Sequence, residues 1–387
     1  MNDFRFHAYT DIRFGKGKVK ELPEALKPFG RKVLLVYGGG SIKKNGLYDE
    51  IIALLKDYEI TELAGIAPNP KIESVREGVK LCKEKGIEAV LAVGGGSTID
   101  AVKVIAGGAS YEGDAWDLVI QPEKIGRVLP IVTVLTLSAT GSEMNVNAVI
   151  SNMETNEKLG TAAHDFIPKV SICDPTYLYT LPAVQTAAGT ADIMSHVFEQ
   201  YFQKDTGAYL TDRIAEGILK TCIKYCRIAL QEPENYEARA NLMWASTLAL
   251  NGLPSAGKTG AWTAHPIEHE LSAYYDITHG VGLAIVTPSW MRYILNEETV
   301  DKFCQYAKEV WGVEQTQDPF QMAAAGIDKT EQFFKECGIP MTLKEVGIDD
   351  THFTVMAEKA VRFGGLANAY AALDQEDVRK ILMMCKG

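Results

Sequence analysis

Ala89-Val90-Leu91-Ala92-Val93, then Gly94-Gly95-Gly96-Ser97, then Thr98-Ile99-Asp100-Ala101-Val102-Lys103, is the stretch whose reading decides the fold. A continuous apolar run of this length reads as a strand buried on both faces, and such strands belong to parallel sheets joined by helices. The glycines end the strand, and the residues after Ser97 continue at helical period. The same unit stands earlier in the chain, where Val33–Tyr37 (VLLVY) runs into Gly38-Gly39-Gly40-Ser41. Leu129–Thr136 and Lys169–Cys173 are two further buried-strand runs. Phe4–Phe14 alternates instead, and reads as an edge hairpin or an arm.

After Pro182 the pattern changes. Val184–Phe202, Tyr209–Leu230, Tyr236–Leu250, Ala261–Tyr275 and Gly280–Leu295 read at helical period, as do Val300–Trp311, Pro319–Cys337, His352–Phe363 and Glu376–Cys385. The expectation is an α/β N-terminal dinucleotide-binding domain with a parallel sheet over residues 1–182. An all-α C-terminal domain over residues 183–387 follows it.

The 387 residues are enough for two domains, and 47% apolar with 23% charged residues is a globular composition. Acidic residues outnumber basic ones, 50 to 39, for a net charge of −11. That balance argues against a nucleic-acid partner, which needs a basic field. The seven cysteines are scattered without metal or disulfide spacing, as in a reduced cytoplasmic protein. The first residues, MNDFRFHAYTDIRFG, carry charges where a signal peptide has its apolar stretch, and no run of about 18 apolar residues predicts a membrane span.

A glycine turn lets a phosphate approach the backbone, and the helix behind it offers N–H groups and partial positive charge. The Gly94–Asp100 turn suits a pyrophosphate, although neither turn has the GxGxxG spacing of the Rossmann fingerprint. The first turn, Gly38-Gly39-Gly40-Ser41-Ile42-Lys43-Lys44, has no acid to bond a ribose 2′-hydroxyl. Its two lysines read either as positive charge for a 2′-phosphate or as an ordinary exposed helix start.

Only seven histidines are present. Asp192 and His196 stand four apart on a strongly helical stretch, so both project from one face. His265 and His269 repeat that spacing, and His279 follows at a helix start. Any one of them taken singly reads as a satisfied core histidine. Their concentration favours a divalent zinc or iron ion, since imidazoles plus a carboxylate suit either. His265-Pro266-Ile267-Glu268-His269 also fits H-x-x-E-H, a zinc-peptidase pattern with glutamate as general base. A peptidase gives no reason for two glycine turns on parallel strands.

Taken together these residues resemble the iron-containing (group III) alcohol dehydrogenase family over essentially the whole chain. Ser171–Glu199 fits the family's first signature, with Asp174, Pro182, Gly189, Asp192 and Glu199 in place, and Trp262–Gly282 fits the second. GGGST-x-D at Gly94–Asp100 and TGSE at Thr140–Glu143 match as well. FGKG at Phe14–Gly17 and YGGGSIKKNG at Tyr37–Gly46 are similar to the NADPH-dependent butanol dehydrogenase and aldehyde reductase branch. The glycerol-dehydrogenase and dehydroquinate-synthase-like enzymes share the glycine turn and a similar metal site, but not the first signature.

The resemblance implies the dehydroquinate synthase-like fold and hydride transfer between NADP(H) and small aldehydes or primary alcohols such as butanal and butanol. It implies one Fe2+ or Zn2+ on Asp192, His196, His265 and His279, with His269 in the proton path. Gly95, Gly96, Ser97 and Asp100 match the pyrophosphate turn. Gly38, Gly39, Gly40 and Ser41 match the adenosine 2′ region. Thr136, Ser138, Thr140, Asn147, Lys158 and Leu178 match positions lining the ribose and nicotinamide, and Asn69 is expected as a further cofactor-binding residue. It further implies a homodimer, which the apolar arm at Phe4–Phe14 would join edge to edge. The substrate is expected in a cleft between the domains.

Overall fold

The computed structural model describes residues 1–387. Its strands are β1 (Asp11–Phe14), β2 (Lys32–Tyr37), β3 (Glu59–Leu63), β4 (Ala89–Gly94), β5 (Ile131–Leu135), β6 (Asn147–Asn152), β7 (Glu157–Ala162) and β8 (Val170–Cys173). Six of them form one sheet in the order β1-β8-β5-β4-β2-β3, and every pair in it is parallel. β6 and β7 make a separate antiparallel hairpin.

The buried runs read from the sequence are the central strands, and their side chains alternate between two cores. Leu34, Val36, Val90 and Ala92 pack on one face against the helices Ile72–Lys85 and Gly96–Gly108. Val33, Leu35, Ala89, Leu91 and Val93 pack on the other face with Leu22, Leu26, Leu47 and Ile51. Two covered faces are why these strands show no polar alternation. The order places β3 on one side of β2 and β4 on the other. The chain therefore reverses its direction of travel across the sheet between β2 and β4, and both glycine turns lie at the carboxyl ends of those strands. In open parallel sheets that crevice is where ligands bind.

The segment Phe4–Phe14 is not a hairpin. Only Asp11–Phe14 is strand, and it pairs in parallel with β8 at the sheet edge. The nine expected helices of the second half form, from Ala183–Tyr201 through Gln375–Cys385, and no helix of the chain is long and apolar enough to cross a membrane.

The chain divides into two compact units, and not by a single cut at residue 182. One unit comprises Met1–Phe6, Pro182–Glu232 and Gly252–Gly387; the other comprises His7–Leu181 and Pro233–Asn251. The Tyr236–Ala249 helix thus belongs with the sheet. Its Met243 enters the sheet's core, Trp244 meets Phe14 edge-on, and the Thr247 hydroxyl bonds Glu143 at 2.6 Å. Helical period alone cannot say which body a helix joins.

Candidate metal centre and glycine turns

In the helical unit, the Ala183–Tyr201 helix carries Asp192, His196 and Glu199 on one face, and all three are buried. The helix Ala264–Tyr275 begins one residue before His265, with Pro266 in its first turn, where proline is tolerated. His279 opens the next helix, His279–Ile294. That helix comes very close to the first one: a Cβ built on Gly280 would lie 2.0 Å from the Ala188 carbonyl oxygen. Glycine at 280 is what lets His279 reach the cluster.

Asp192 Oδ1 is the hub. It lies 3.5 Å from His196 Nδ1, 3.9 Å from His265 Nε2 and 3.6 Å from His279 Nε2. The donor atoms of Asp192, His265 and His279 all lie within 4.8 Å of one another. Ligand atoms bound tetrahedrally at 2.0–2.2 Å stand roughly 3.4 Å apart, so this spacing fits a shared ion. Asp192 Oδ1, His196 Nδ1 and His265 Nε2 are buried and have no hydrogen-bond partner. Leaving a buried carboxylate oxygen unpaired is costly, and a cation among these atoms would satisfy all three. Burial also pushes the His196 imidazole down to about 3, so it is a neutral donor at physiological pH. The residues present fit a divalent metal. The Trp262 ring closes one side, 4.7 Å from the His265 ring and 5.7 Å from that of His196.

His269 lies one turn beyond His265, half-buried, with its ring 5.7 Å from that of His279. Sequence reasoning left two carboxylates without a role at this centre. Glu199 accepts the His265 backbone N–H at 2.9 Å and lies 3.2 Å from His265 Nδ1. Glu268 contacts His279 Nδ1 and accepts from the Ser272 hydroxyl. The signal for Glu199 was its position seven residues past Asp192, two turns along the same face. Glu268 is fully buried and already engaged, so it cannot serve as the solvent-facing base that the H-x-x-E-H reading required.

In the sheet unit, the Gly96–Gly108 helix starts directly after Gly95 with no side-chain cap. Its first N–H groups, at Gly96 and Ser97, suit an anion. None of Gly94, Gly95 and Gly96 has positive φ; close packing demands them instead. A Cβ on Gly96 would lie 2.3 Å from Thr140 Oγ1, and one on Gly95 would lie 3.0 Å from Leu137 Cβ. Thr136, Ser138 and Thr140 thus sit beside this turn, at the end of β5, and are partly exposed. The first turn is different: Gly39 and Gly40 have nothing within 4 Å of a built Cβ. Ser41 is exposed there, while Lys43 Nζ lies 3.9 Å from Glu62 Oε2 and over the Tyr48 ring. The Lys43 charge is therefore partly matched inside the protein.

Asp100, the last residue of the GGGST-x-D motif, is buried. Its carboxylate points inward, accepting the Ser142 hydroxyl at 2.5 Å and the Val149 N–H at 2.9 Å. It ties the glycine turn's helix to the TGSE turn and β6. Beside it, fully buried Lys103 donates to Ser142 Oγ, Asn145 Oδ1 and the Asn147 carbonyl at 2.7–2.9 Å. Asn69, Lys158 and Leu178 are buried as well, Leu178 within the core itself.

Residues 10–175 match the family described as iron-containing alcohol dehydrogenase, and residues 186–385 match the C-terminal part of the Fe-containing alcohol dehydrogenase family. The chain is 55% identical over 384 residues to NADH-dependent butanol dehydrogenase A of Clostridium acetobutylicum, covering 98% of this chain and 99% of that one. It is 41% identical to the NADPH-dependent aldehyde reductase YqhD of Escherichia coli, covering 94% of each. The crystal structure of NADH-dependent butanol dehydrogenase A from Thermotoga maritima superposes with a TM-score of 0.95 at 42% identity, covering 100% of this chain and 99% of that one. The chain belongs to the iron-containing alcohol dehydrogenase family. It is an oxidoreductase of the alcohol–aldehyde couple, in a family that uses a nicotinamide cofactor and a divalent metal.

Proposed function

We propose that the protein reduces small aldehydes, butanal among them, to primary alcohols with NADPH, at a single Fe2+ or Zn2+ centre. The observation that carries this reading is the set of unpartnered buried atoms facing Asp192 Oδ1. Asp192, His196, His265 and His279 would hold the ion. When bound, the ion supplies a Lewis acid for the substrate oxygen and the nicotinamide supplies the hydride. The Trp262 ring restricts water on one side of the cluster. A ring nitrogen of His269 holds the proton that the product alkoxide requires, at a group whose ordinary pKa is near neutrality.

Gly95, Gly96 and Ser97 would take the cofactor's pyrophosphate, and Gly38–Ser41 the adenosine ribose. The NADPH preference rests on Gly39: it has no carboxylate to repel a 2′-phosphate, and the space beside it is open. NADH is the second reading. The more similar relative cited above bears an NADH-dependent name, and Glu62 lies near the first turn, holding Lys43. Metal analysis of the purified protein, followed by NADPH and NADH oxidation with a panel of aldehydes, tests the proposal. Aldehyde reduction that is independent of any metal would overturn it.

We further propose a cytoplasmic homodimer joined at the β1 edge. Ile12, Phe14, Ala240, Asn241 and Trp244 line a groove there, and Trp244 is 42% exposed. A second copy of this edge would cover both the apolar groove and the unpaired side of β1.

A further inference from the structure

Behind two of the histidines stand carboxylates buried as deeply as the cluster itself. Glu199 is 2% exposed and Glu268 is fully buried. Glu199 Oε2 accepts the Thr263 N–H at 2.8 Å, while Oε1 accepts the His265 N–H and faces His265 Nδ1. Glu268 faces His279 Nδ1, and a Cβ on Gly282 would fall 2.8 Å from its Cγ, so the His279 helix is packed directly on it. In both histidines the other ring nitrogen, Nε2, is the one turned to Asp192.

We propose that Glu199 and Glu268 are positioning residues acting through His265 and His279. Each holds its imidazole with the proton on Nδ1 and the lone pair on Nε2, and each adds negative charge behind the donor atom. This rests on the reading of Asp192, His196, His265 and His279 as a divalent-metal centre. A neutral imidazole has one donor and one acceptor nitrogen, so a fixed acceptor at Nδ1 decides which nitrogen is left to bind a cation. Carboxylates in this place also raise the basicity of the ligating nitrogen. The competing account is that Glu199 only anchors the start of the Ala264–Tyr275 helix and that Glu268 only bonds Ser272. A further alternative makes Glu268 itself a ligand, because its donor atom lies within 4.8 Å of those of His269 and His279.

Glu199→Gln and Glu268→Gln separate these accounts. Glutamine keeps an oxygen acceptor of nearly the same shape and removes the charge. The full-length protein is stripped with a chelator and reloaded with Co2+. Affinity is read by chelator competition, coordination by the visible absorption of the bound Co2+, and folding by thermal unfolding of the metal-free forms. The expected result is a 10- to 100-fold weaker Co2+ affinity, on the usual scale for such partners. A shifted absorption band should accompany it, with metal-free Glu268→Gln unfolding at the parent temperature. Parent affinity and an unshifted band in both variants overturn the proposal. So does weakened binding that merely follows a loss of metal-free stability in both. A parent that binds two Co2+ per chain, with Glu268→Gln binding one, also overturns it, since Glu268 is then a ligand. Asp192→Ala is the separate control: if it binds Co2+ like the parent, the metal centre itself has been misread.

Discussion

Replacing the His279 imidazole with a methyl group leaves Asp192, His196 and His265 too few to close a four-ligand site. His279→Ala is expected to lose bound metal and aldehyde reduction together, checked by metal analysis alongside a rate assay. His269→Ala should behave differently, because His269 groups with Glu268 and His279, apart from the Asp192, His265 and His279 set. It is expected to keep its metal and lose turnover by roughly ten- to a thousandfold, the usual scale for a proton-transfer group. A His269→Ala enzyme working at the parent rate removes the proton role. At Gly39 the backbone is not left-handed and the space is open, so Gly39→Asp should fold without strain. It should raise the KM for NADPH and narrow or reverse the cofactor preference, measured as kcat/KM for both cofactors. A parent that uses NADH as well as NADPH contradicts the cofactor argument whatever the variant does.

Among the elements, β2, β4, β5 and β8 were legible because burial on both faces writes an unbroken apolar run. The helices of the second half were legible because each buries one stripe. Short edge elements were not. β3 reads Glu-Ile-Thr-Glu-Leu, two of its five residues are acidic, and it pairs on one side only. The β6 and β7 strands pair only with each other and carry polar residues among the apolar ones, Asn-Ala-Val-Ile-Ser-Asn and Glu-Lys-Leu-Gly-Thr-Ala. At the site, the histidine spacing on single helices showed which residues share a face, but no spacing could show that Gly280 brings two helices into contact. Nor could it show that Asp100 turns inward. That inward tie yields a prediction of its own. Lys103→Met strands the Asn147 carbonyl and should cost about 1–3 kcal/mol in denaturant unfolding. Burial pushes the Lys103 ammonium down to about 8 from an ordinary value of 10.5. The unfolded chain then binds more protons than the folded one between those two values. The stability of the parent relative to Lys103→Met should therefore rise with pH from about 8 to about 10.5, and stay level below that window. A difference that falls with pH there would mean a raised ammonium pKa and contradicts the depression by burial.

For the whole molecule, the β1 edge predicts a particle of twice the 42.4 kDa chain mass in light scattering. Trp244→Glu, which places charge in the apolar groove, should shift that particle toward the single chain. A parent that scatters as one chain rules out the edge-to-edge dimer. The central claim is the metal centre, and it is tested most directly by removing the ion from the intact protein. Metal content per chain and aldehyde reduction are measured before chelation, after it, and after addition of Fe2+ or Zn2+. The account predicts one ion per chain at the start, loss of activity in step with loss of metal, and recovery on reloading. A metal-free protein that reduces aldehydes at the parent rate would contradict it.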